Sequence, residues 1–468
     1  MYCHSYYNKR YLYQYMATLA GCIAVMSSGI NLGWTSPYLP EILNGTYPDI
    51  SMTSDEGSWC AIMPLIGAIP GALLTMLAVD RIGRKITVLI MAPVTFGAFV
   101  WLAFSKSGVV ISVLRFIIGS VEGGLYTALP MYLGEISDSE VRGILTASMG
   151  LFSILGALFI NVLGFHYTIF ESSLACACVP LLHFLSFVWM PESPYYYIKK
   201  GNKTAAETSL KIFRNAESVA EELDEMVKAV TRQESESKAK FTDLVTIKSN
   251  RRAVVIYLII NFARKFSGKN PIGFYTLDIF RLADGDLSEY TSVVIFIGVE
   301  VCAAMIGILV IDRLGRRPLV IASIAVCGVT LGLMGTYFLL KDAVASYITH
   351  LRWLPLTSLV LYNTFYTLGL ELAQTTYLGE LFPTNIKAIA LGLADVVSVI
   401  NGAIVSKIFQ LIADNFGIHY SFYVLSLACL TALILSVIYV IETKNKTLEE
   451  IQLCLVKGSS IQKRKSPN

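Results

Sequence analysis

The chain has 468 residues, of which 54% are apolar and only 15% are charged. This composition excludes a water-soluble globular protein, because most of these residues cannot face water. The net charge of +3 gives no sign of a nucleic acid partner, and we expect none.

Apolar stretches follow one another along the whole chain. A transmembrane helix needs roughly 20 mostly apolar residues. Twelve such stretches lie near residues 15–37, 58–79, 86–105, 109–133, 143–164, 167–190, 253–280, 289–311, 318–340, 353–378, 387–411 and 418–441. The first is too long and too far from the start for a cleavable signal peptide, so we interpret it as a retained span. The pattern predicts an all-α, polytopic membrane protein embedded in the lipid bilayer.

The 37 Lys and Arg residues are unevenly distributed over the loops between these stretches. Alternate loops hold most of them, whereas residues 38–57, between the first two stretches, contain none. Because loops rich in Lys and Arg stay in the cytoplasm, we predict that both termini are cytoplasmic. The sequon Asn44-Gly45-Thr46 then lies in the first outer loop, where Asn44 can be glycosylated.

A basic motif occurs twice. Residues 80–85 read Asp-Arg-Ile-Gly-Arg-Lys, and residues 312–317 read Asp-Arg-Leu-Gly-Arg-Arg. The first copy follows the second apolar stretch and the other follows the eighth, so each occupies the same place in a set of six. This repetition predicts two homologous halves, as in many transporters.

Other charged residues recur at equivalent places in the two halves. They are Glu135 and Arg142 with Glu380 and Lys387, and Glu192 with Glu442. All of them lie at the predicted cytoplasmic ends of spans. We expect acidic and basic residues of the two halves to pair across the midline and close the inner mouth, which would favour the outward-facing state. The alternative is that these charges only anchor helix ends at lipid headgroups.

The two sets of six stretches are separated by a polar segment. Apolar residues recur there at helical spacing around Leu210, Phe213 and Met226, which predicts short amphipathic cytoplasmic helices. A flexible linker is the alternative, since residues 231–240 are rich in Ser, Glu and Lys. The predicted division is a cytoplasmic N-terminus (1–14), an N-terminal bundle (15–190), linker helices (191–252), a C-terminal bundle (253–441) and a cytoplasmic tail (442–468).

Several short motifs occur in a specific order. They are the two basic motifs, Arg115 with Gly119, Pro130-x-Tyr132-x-x-Glu135, Pro191-Glu192-Ser193-Pro194, Phe266-Ser267-Gly268-x-Asn270, Glu380-x-Phe382-Pro383 and the run from Glu442 to Glu450. Between residues 15 and 453 this set resembles the sugar porter family of the major facilitator superfamily. Trp34-Thr35-Ser36-Pro37 and Glu56-Gly57-Ser58-Trp59 are similar to its insect facilitated trehalose transporter branch.

The resemblance implies 12 transmembrane helices in two pseudo-symmetric six-helix bundles, a substrate site between them near the midplane, and alternating access. It also implies that the recurring charges act in gating. The gating residues implied are Asp80, Arg84, Arg115, Glu135, Arg142, Glu192, Asp312, Arg316, Glu380, Lys387 and Glu442.

The expected binding site departs from the family pattern. Where sugar porters have two Gln residues in span seven, this chain has Arg264 and Lys265, and their Asn in span eight is replaced by Glu300. In span ten, a Gly-Pro-x-Pro-Trp run is replaced by residues 371–375. The candidate substrate-binding residues are Asn161, Arg264, Lys265, Asn270, Glu300, Glu371 and Thr375.

Ionisable side chains in the middle of a bilayer cost at least about 2.5–3.5 kcal/mol each, so they persist where they are paired, solvated or functional. We interpret Arg264, Lys265, Glu300 and Glu371 as one internal ion cluster. Three functions then remain open. A sugar binds to the remaining polar groups, the cations bind an anionic or zwitterionic solute, or the protein is a non-transporting sensor on a transporter scaffold.

The first span lacks the Asp that related proton symporters carry, and Asn31 stands at the nearest place. This favours a uniporter of a sugar, such as trehalose or a hexose, in the plasma membrane. Glu122 could still hold a proton, but we expect it to pair with Arg115 or to line the cavity. Gly119, Gly123 and Gly124 indicate close helix packing.

The sequence contains no phosphate-binding loop in a nucleotide context, no nucleophile triad and no zinc spacing. We therefore expect neither an enzyme nor a bound metal or cofactor. The nine Cys residues are scattered, which is typical of small buried side chains. We expect a monomer.

Overall fold

The computed structural model describes residues 11–138, 140–216, 218–235, 242–343, 350–382, 384–444 and 448–457. Within these ranges the chain forms helices and turns, and no β-strand is present. The chain divides into two compact units, unit 1 (residues 1–237) and unit 2 (residues 238–468). The all-α fold predicted from the sequence is confirmed.

Among its described residues, unit 1 contains six helical segments that are long and apolar enough to cross a membrane. They are α1 (Leu12–Gly33) continuing into α2 (Thr35–Leu43), α3 (Ser54–Ile82), α4 (Arg84–Ala103), α5 (Gly108–Ile136), α6 (Arg142–His166) and α7 (Ile169–Phe187). Three shorter helices follow, namely α8 (Pro194–Lys199), α9 (Lys203–Arg214) and α10 (Ala220–Ser235).

Two of the long helices begin with the same capping arrangement. The Thr53 hydroxyl accepts a hydrogen bond from the backbone N–H of Glu56 at 3.2 Å, and the Glu56 carboxylate accepts one from the Thr53 N–H at 2.8 Å. Thr168 and Glu171 do the same at the start of α7. Such a reciprocal pair satisfies N–H groups that the first helical turn leaves without partners.

Glycines allow α3 and α5 to approach closely. A Cβ added to Gly119 would lie 2.2 Å from the carbonyl oxygen of Pro64, and one added to Gly123 would lie 1.9 Å from that of Ala68. On α3, a Cβ added to Gly71 would lie 1.8 Å from the carbonyl oxygen of Ser120 on α5. Small residues permit this contact between backbones, so the predicted packing role of Gly119 and Gly123 is confirmed.

The short helices after α7 pack against unit 1. Leu210 and Phe213 are completely buried, and Met226 is buried. Arg214 contacts Asp138 at 3.2 Å and donates a hydrogen bond to the backbone oxygen of Ile136 at 2.7 Å, which ties α9 to the end of α5. Over the described residues, helices are present where the sequence predicted them.

Unit 2 contains four more segments that meet the membrane-spanning criteria among the described residues. They lie in α15 (Glu289–Leu314), α16 (Arg316–Ala343), α19 (Thr384–Phe416) and α20 (Ile418–Tyr439). The other helices are α11 (Asp243–Thr246), α12 (Lys248–Phe266), α13 (Lys269–Phe274), α14 (Thr276–Ala283), α17 (Leu354–Phe365), α18 (Leu372–Leu381) and α21 (Leu448–Lys457).

The two predicted spans that are missing from these ten are helical but broken. The stretch 253–280 is divided among α12, α13 and α14, and the first break falls at Gly268, whose φ is +90°. The stretch 353–378 runs through α17 and α18, which are joined by a π-turn at Tyr366–Glu371. Together with the ten continuous spans, these segments are consistent with the twelve that the sequence predicted.

Candidate functional site

The turn between α3 and α4 is built around a carboxylate. Glu192 accepts hydrogen bonds from the backbone N–H of Arg84 at 3.0 Å and from that of Lys85 at 2.9 Å. It thereby satisfies the first N–H groups of α4, where the helix dipole also favours a negative charge. Gly83 has a φ of +104°, and a Cβ at this position would lie 2.3 Å from Oε2 of Glu192. Both its backbone conformation and the available space therefore require glycine.

The side chain of Arg84 holds this end of unit 1 together. It is only 1% exposed and forms ion pairs with Glu135 at 3.0 Å and with Asp80 at 2.8 Å. Glu135 also accepts a hydrogen bond from the hydroxyl of Ser193. The Arg84 guanidinium and the Glu135 carboxylate together thus join three segments, namely the basic motif, the end of α5 and the residues after α7.

Unit 2 repeats this arrangement. Glu442 accepts hydrogen bonds from the backbone N–H of Arg316 at 3.1 Å and from that of Arg317 at 3.0 Å. Gly315 adopts a φ of +88°, and the Arg316 side chain forms an ion pair with Glu380 at 3.3 Å.

A pair of tyrosines extends the equivalence of the two units. Tyr132 donates a hydrogen bond to the carbonyl oxygen of Pro191 at 2.7 Å, and Tyr377 donates one to that of Ile441 at 2.8 Å. Each acceptor immediately precedes the carboxylate that caps the basic motif. The duplication read from the sequence therefore extends to individual hydrogen bonds.

Glu442 lies beyond the end of α20. Burial raises the pKa of its carboxyl, but hydrogen bonds from the backbone N–H groups of Lys444, Arg317, Arg316 and Thr443 outweigh this effect. As a result the pKa of Glu442 lies below its ordinary value.

The described ion pairs of these charges lie within each unit. Those of Arg84 are formed with residues of unit 1 and that of Arg316 with a residue of unit 2, because the basic motif and the acidic segments fold back on one another. Pairing between the two halves stays a prediction. Arg142 is exposed and donates to the carbonyl oxygen of its neighbour Ser137 at 3.1 Å.

Three predicted site residues lie outside the part of the chain whose side chains the structure describes. They are Asp312, Thr375 and Lys387.

Arg115 lies apart from the other predicted gating residues. It is 20 positions before Glu135 on α5, or about 30 Å at the rise of an α-helix. Its guanidinium is completely buried and donates to the backbone oxygens of Asn31 at 2.8 Å and Cys60 at 3.1 Å. It also lies 5.0 Å from the centre of the Trp34 ring.

Glu122 joins the same buried polar group through Asn31. The amide of Asn31 donates to the Glu122 carboxylate at 3.1 Å, and its oxygen accepts from Arg115 at 3.4 Å. Asn31 therefore bridges the two charged groups. The sequence identified all three residues but not the bridging role of the amide.

The pocket residues of unit 2 meet at the broken helices. Arg264, in the last turn of α12, donates two hydrogen bonds to Glu371, which ends the π-turn, and one of them measures 3.1 Å. A two-pronged contact of this kind is the strongest geometry available to an Arg and a carboxylate. Arg264 is 19% exposed and Glu371 is 39% exposed.

The direct partner of Glu300 is a lysine outside the predicted ion cluster. Its carboxylate contacts Lys269 at 2.6 Å and accepts a hydrogen bond from Asn363 at 3.0 Å. Lys269 lies 5.6 Å from the centre of the Phe296 ring and 5.5 Å from that of Tyr366. The break at Gly268 redirects the chain and brings Lys269, which was not among the predicted site residues, to Glu300.

Lys265 has no direct ion pair among the described residues. No described carboxylate lies within the 4.0 Å that defines an ion pair with Lys265, and the carboxylates that attract it electrostatically are Glu371 first and then Asp395 on α19. Asp395 was not among the predicted site residues. An acidic residue within the apolar stretch 387–411 was the signal for it, because ionisable residues inside spans mark functional sites by default.

The two amides predicted to bind substrate differ in exposure. Asn161 is buried and donates to the backbone oxygens of Ala157 at 2.8 Å and Gly33 at 3.4 Å. Asn270 is half-buried, in the first turn of α13.

A third polar group in unit 2 was not predicted. The hydroxyl of Tyr257 accepts hydrogen bonds from Asn261 at 3.2 Å and from Gln374 at 3.0 Å, and Asn261 in turn accepts one from Asn401 at 2.9 Å. This network connects α12, α18 and α19. Among the described residues, no group of three or more His, Cys, Asp or Glu side chains is placed to hold a metal ion.

Comparison with known proteins identifies the class. Residues 15–455 match the family model described as "Sugar (and other) transporter". The chain therefore belongs to the sugar transporter family, and it is a multi-pass membrane transporter of the sugar porter type rather than an enzyme.

Individual relatives give more detail. The chain is 31% identical over 448 residues to the facilitated trehalose transporter Tret1 of Apis mellifera ligustica, covering 95% of this chain and 88% of that protein. It is 30% identical over 444 residues to the facilitated trehalose transporter Tret1-2 homolog of Drosophila simulans, covering 94% and 90%. The fold is similar to that of the xylose transporter XylE from E. coli, with a TM-score of 0.77, 19% identity and coverage of 94% and 99%.

Proposed function

We propose that this chain is a facilitative uniporter that carries a sugar such as trehalose or a hexose by alternating access. The pairing of the pocket cations is the observation that carries this proposal. Arg264 is neutralised by Glu371 and Lys269 by Glu300, so these cations are already occupied by carboxylates. A neutral solute that offers hydroxyl groups suits such a surface better than an anion does.

The names of the relatives support the same solute class. Proteins about 30% identical over nearly the whole chain are called facilitated trehalose transporters. Substrate contacts are proposed for Asn161, Arg264, Lys265, Asn270, Glu300, Glu371 and Thr375.

Uniport is supported by Asn31. An amide cannot take up a proton in the physiological range, and the neighbouring Glu122 is 6% exposed and hydrogen-bonded to that amide. We therefore propose that sugar movement is not coupled to protons.

The charges around the two basic motifs are proposed as gating residues. Because Arg84 and Arg316 each connect several segments of their own unit, a change in their contacts would move those segments together. The remaining members of the set are Asp80, Arg115, Glu135, Arg142, Glu192, Asp312, Glu380, Lys387 and Glu442.

We place the protein in the plasma membrane as a monomer with both termini and the linker helices in the cytoplasm. Asn44 is exposed in the turn after α2, so this topology makes it available for glycosylation. Expression of Asn44→Gln in insect cells tests the topology. Wild type should lose apparent mass on glycosidase treatment and the variant should not, whereas a glycosidase-insensitive wild type would argue against an outer location.

Transport is tested with purified protein in lipid vesicles. Radiolabelled trehalose, glucose, a polyol, a carboxylate and an amino acid are compared, each with and without a proton ionophore. Saturable sugar uptake that survives the ionophore supports the proposal. Uptake confined to anions would replace the sugar with a charged solute, and a folded protein that takes up nothing would indicate a sensor.

A further inference from the structure

We propose that Lys269 is a positioning residue of the transport cycle, because it fastens the segment beyond the break in span seven to spans eight and ten. Through this contact the break at Gly268 and the π-turn at Tyr366–Glu371 act as one hinge. The inference rests on the proposed sugar transport, and it adds a residue that was not among the predicted substrate-binding or gating residues.

The break in span seven leaves a backbone carbonyl without its usual partner. Gly268 has a φ of +90°, and Pro271 has no N–H group to donate to the carbonyl oxygen of Ser267, four positions earlier. The hydroxyl of Tyr362 on α17, which is completely buried, donates to that oxygen at 3.1 Å instead. The break in span seven is therefore built against span ten.

Lys269 follows the break directly and connects three helices. Its Nζ contacts the carboxylate of Glu300 on α15 at 2.6 Å and donates to Oδ1 of Asn363 on α17 at 2.7 Å. Asn363 is completely buried, and its amide donates in turn to Glu300 at 3.0 Å and to the backbone oxygen of Phe296 at 3.0 Å. The three polar side chains form a closed triangle, so α13 cannot move away from α15 and α17 without breaking two contacts of one ammonium group.

The same ammonium group reaches the second break. It lies 5.5 Å from the centre of the Tyr366 ring, where the π-turn of span ten begins. A cation over an aromatic face is attracted by the ring, and more strongly where water is excluded. Tyr366 is 2% exposed and Lys269 is 20% exposed, so water is largely excluded from this contact.

On the other side of the two breaks, different helices are joined. Arg264, four positions before Gly268, pairs with Glu371 at the end of the π-turn. Tyr257, also on α12, accepts a hydrogen bond from Gln374 on α18 at 3.0 Å. These contacts join α12 to α18, whereas Lys269 joins α13 to α17. A tilt at one break is therefore passed to the other, because each part of span seven is attached to a part of span ten.

Loss of the Lys269 charge should uncouple the two breaks. Helix α13 has only six residues, so its position depends on tertiary contacts rather than on its own stability as a helix. Because Lys269 is not among the candidate substrate-binding residues, the maximal rate of transport should fall more than the apparent affinity for sugar.

The experiment measures concentration-dependent sugar uptake by reconstituted protein. The maximal rate should fall about fivefold or more in Lys269→Met, with a smaller change in apparent affinity. Lys269→Arg keeps the cation and should retain most of the rate. Lys248→Met, at an exposed residue in the first turn of α12, is the matched control and should behave as wild type. A Lys269→Arg variant as slow as Lys269→Met, or a rate unchanged in both, would overturn the role of the charge.

A double variant separates positioning from stability. Lys269→Met with Glu300→Gln removes the ion pair as a whole and leaves no unpaired charge behind, so it keeps the test decisive if Lys269→Met does not fold. Its unfolding temperature should return towards that of wild type, while its maximal rate stays about fivefold or more below it. Recovery of the rate together with the stability would show that the pair only supports the fold, and would overturn the proposal.

Hydrogen–deuterium exchange tests the hinge without sugar. Wild type that transports no sugar would refute the proposed function, and exchange then decides the role of Lys269 separately. In the double variant, backbone amides of residues 269–283 should exchange about fivefold faster or more than in wild type, whereas those of residues 253–263 should be unchanged. Equal acceleration of both segments, or of neither, would overturn the hinge.

Discussion

Glu192 accepts a hydrogen bond from the backbone N–H of Arg84 across 108 positions of sequence, and Glu442 does the same for Arg316 across 126. In both units the carboxylate follows the sixth predicted span of that unit. It caps the first turn of the helix that forms the third span. One acidic side chain thus holds the basic motif of each unit in place, and in unit 1 the missing Cβ of Gly83 makes room for it.

Replacing Gly83 should disrupt this cap. Gly83→Ala places a Cβ 2.3 Å from Glu192 and forces an alanine to adopt a φ of +104° with a ψ of 159°, a backbone region that is essentially restricted to glycine and costs about 1–3 kcal/mol. We expect a lower unfolding temperature and reduced uptake, measured on purified and reconstituted protein. Gly97→Ala is the control, since nothing lies within 4 Å of a Cβ there. Equal behaviour of the two variants would contradict the importance of this turn.

Removing either arginine should slow transport more than it weakens binding. Arg84→Ala leaves Glu135 and Asp80 without their guanidinium, and Arg316→Ala does the same to Glu380. Because these contacts lie at the ends of spans rather than with the candidate substrate-binding residues, the maximal rate should fall several-fold while the apparent affinity changes little. Concentration-dependent uptake measures both, with Lys228→Ala, at an exposed residue of α10, as the control. A loss of affinity at unchanged maximal rate would be evidence against gating.

The pair of Arg264 and Glu371 should matter for stability. Breaking a fully buried ion pair costs about 3–5 kcal/mol, and we expect less here because Glu371 is 39% exposed. Arg264→Gln should lower the unfolding temperature, and Arg264→Gln with Glu371→Gln should recover part of the loss. If the single variant is as stable as wild type and binds sugar more tightly, Arg264 instead occupies space that the sugar needs.

Glu442 should make unit 2 sensitive to acid. Its folded-state pKa is depressed, so the ionised carboxylate stabilises the fold above the ordinary pKa of a Glu, and this contribution disappears as the pH falls through the lower folded value. The unfolding temperature of wild type should therefore drop more steeply below about pH 4.5 than that of Glu442→Gln. Parallel curves for the two proteins would show that the cap contributes nothing in its charged form.

Much of the fold could be predicted from the sequence because a helix that spans the bilayer needs roughly 20 mostly apolar residues. Long apolar stretches gave twelve segments, and ten of them are continuous among the described residues. The repeated basic motif marked equivalent places in the two halves, and Glu192 and Glu442 were recognised as equivalent before their hydrogen bonds were known.

The partners of charged residues could not be predicted in the same way. Glu300 was assigned to Arg264 and Lys265 by its place in a motif, yet the break after Phe266 brings Lys269 to it instead. Asp395 escaped notice because the resemblance offered no expectation for that position of α19. Pairing depends on how deep each side chain lies in the membrane and on which face of its helix it stands. Where a helix is interrupted, a sequence pattern specifies neither of these.

The π-turn at Tyr366–Glu371 has a consequence for how this chain is aligned with others. A wider turn accommodates about one additional residue, which rotates everything beyond it by roughly 100° around the helix axis. A helical wheel that treats residues 354–381 as one regular α-helix would place Tyr377 and Glu380 on the wrong face of that helix. Comparison with a relative whose corresponding segment is uninterrupted therefore requires a one-position gap before any functional residue of α18 is matched.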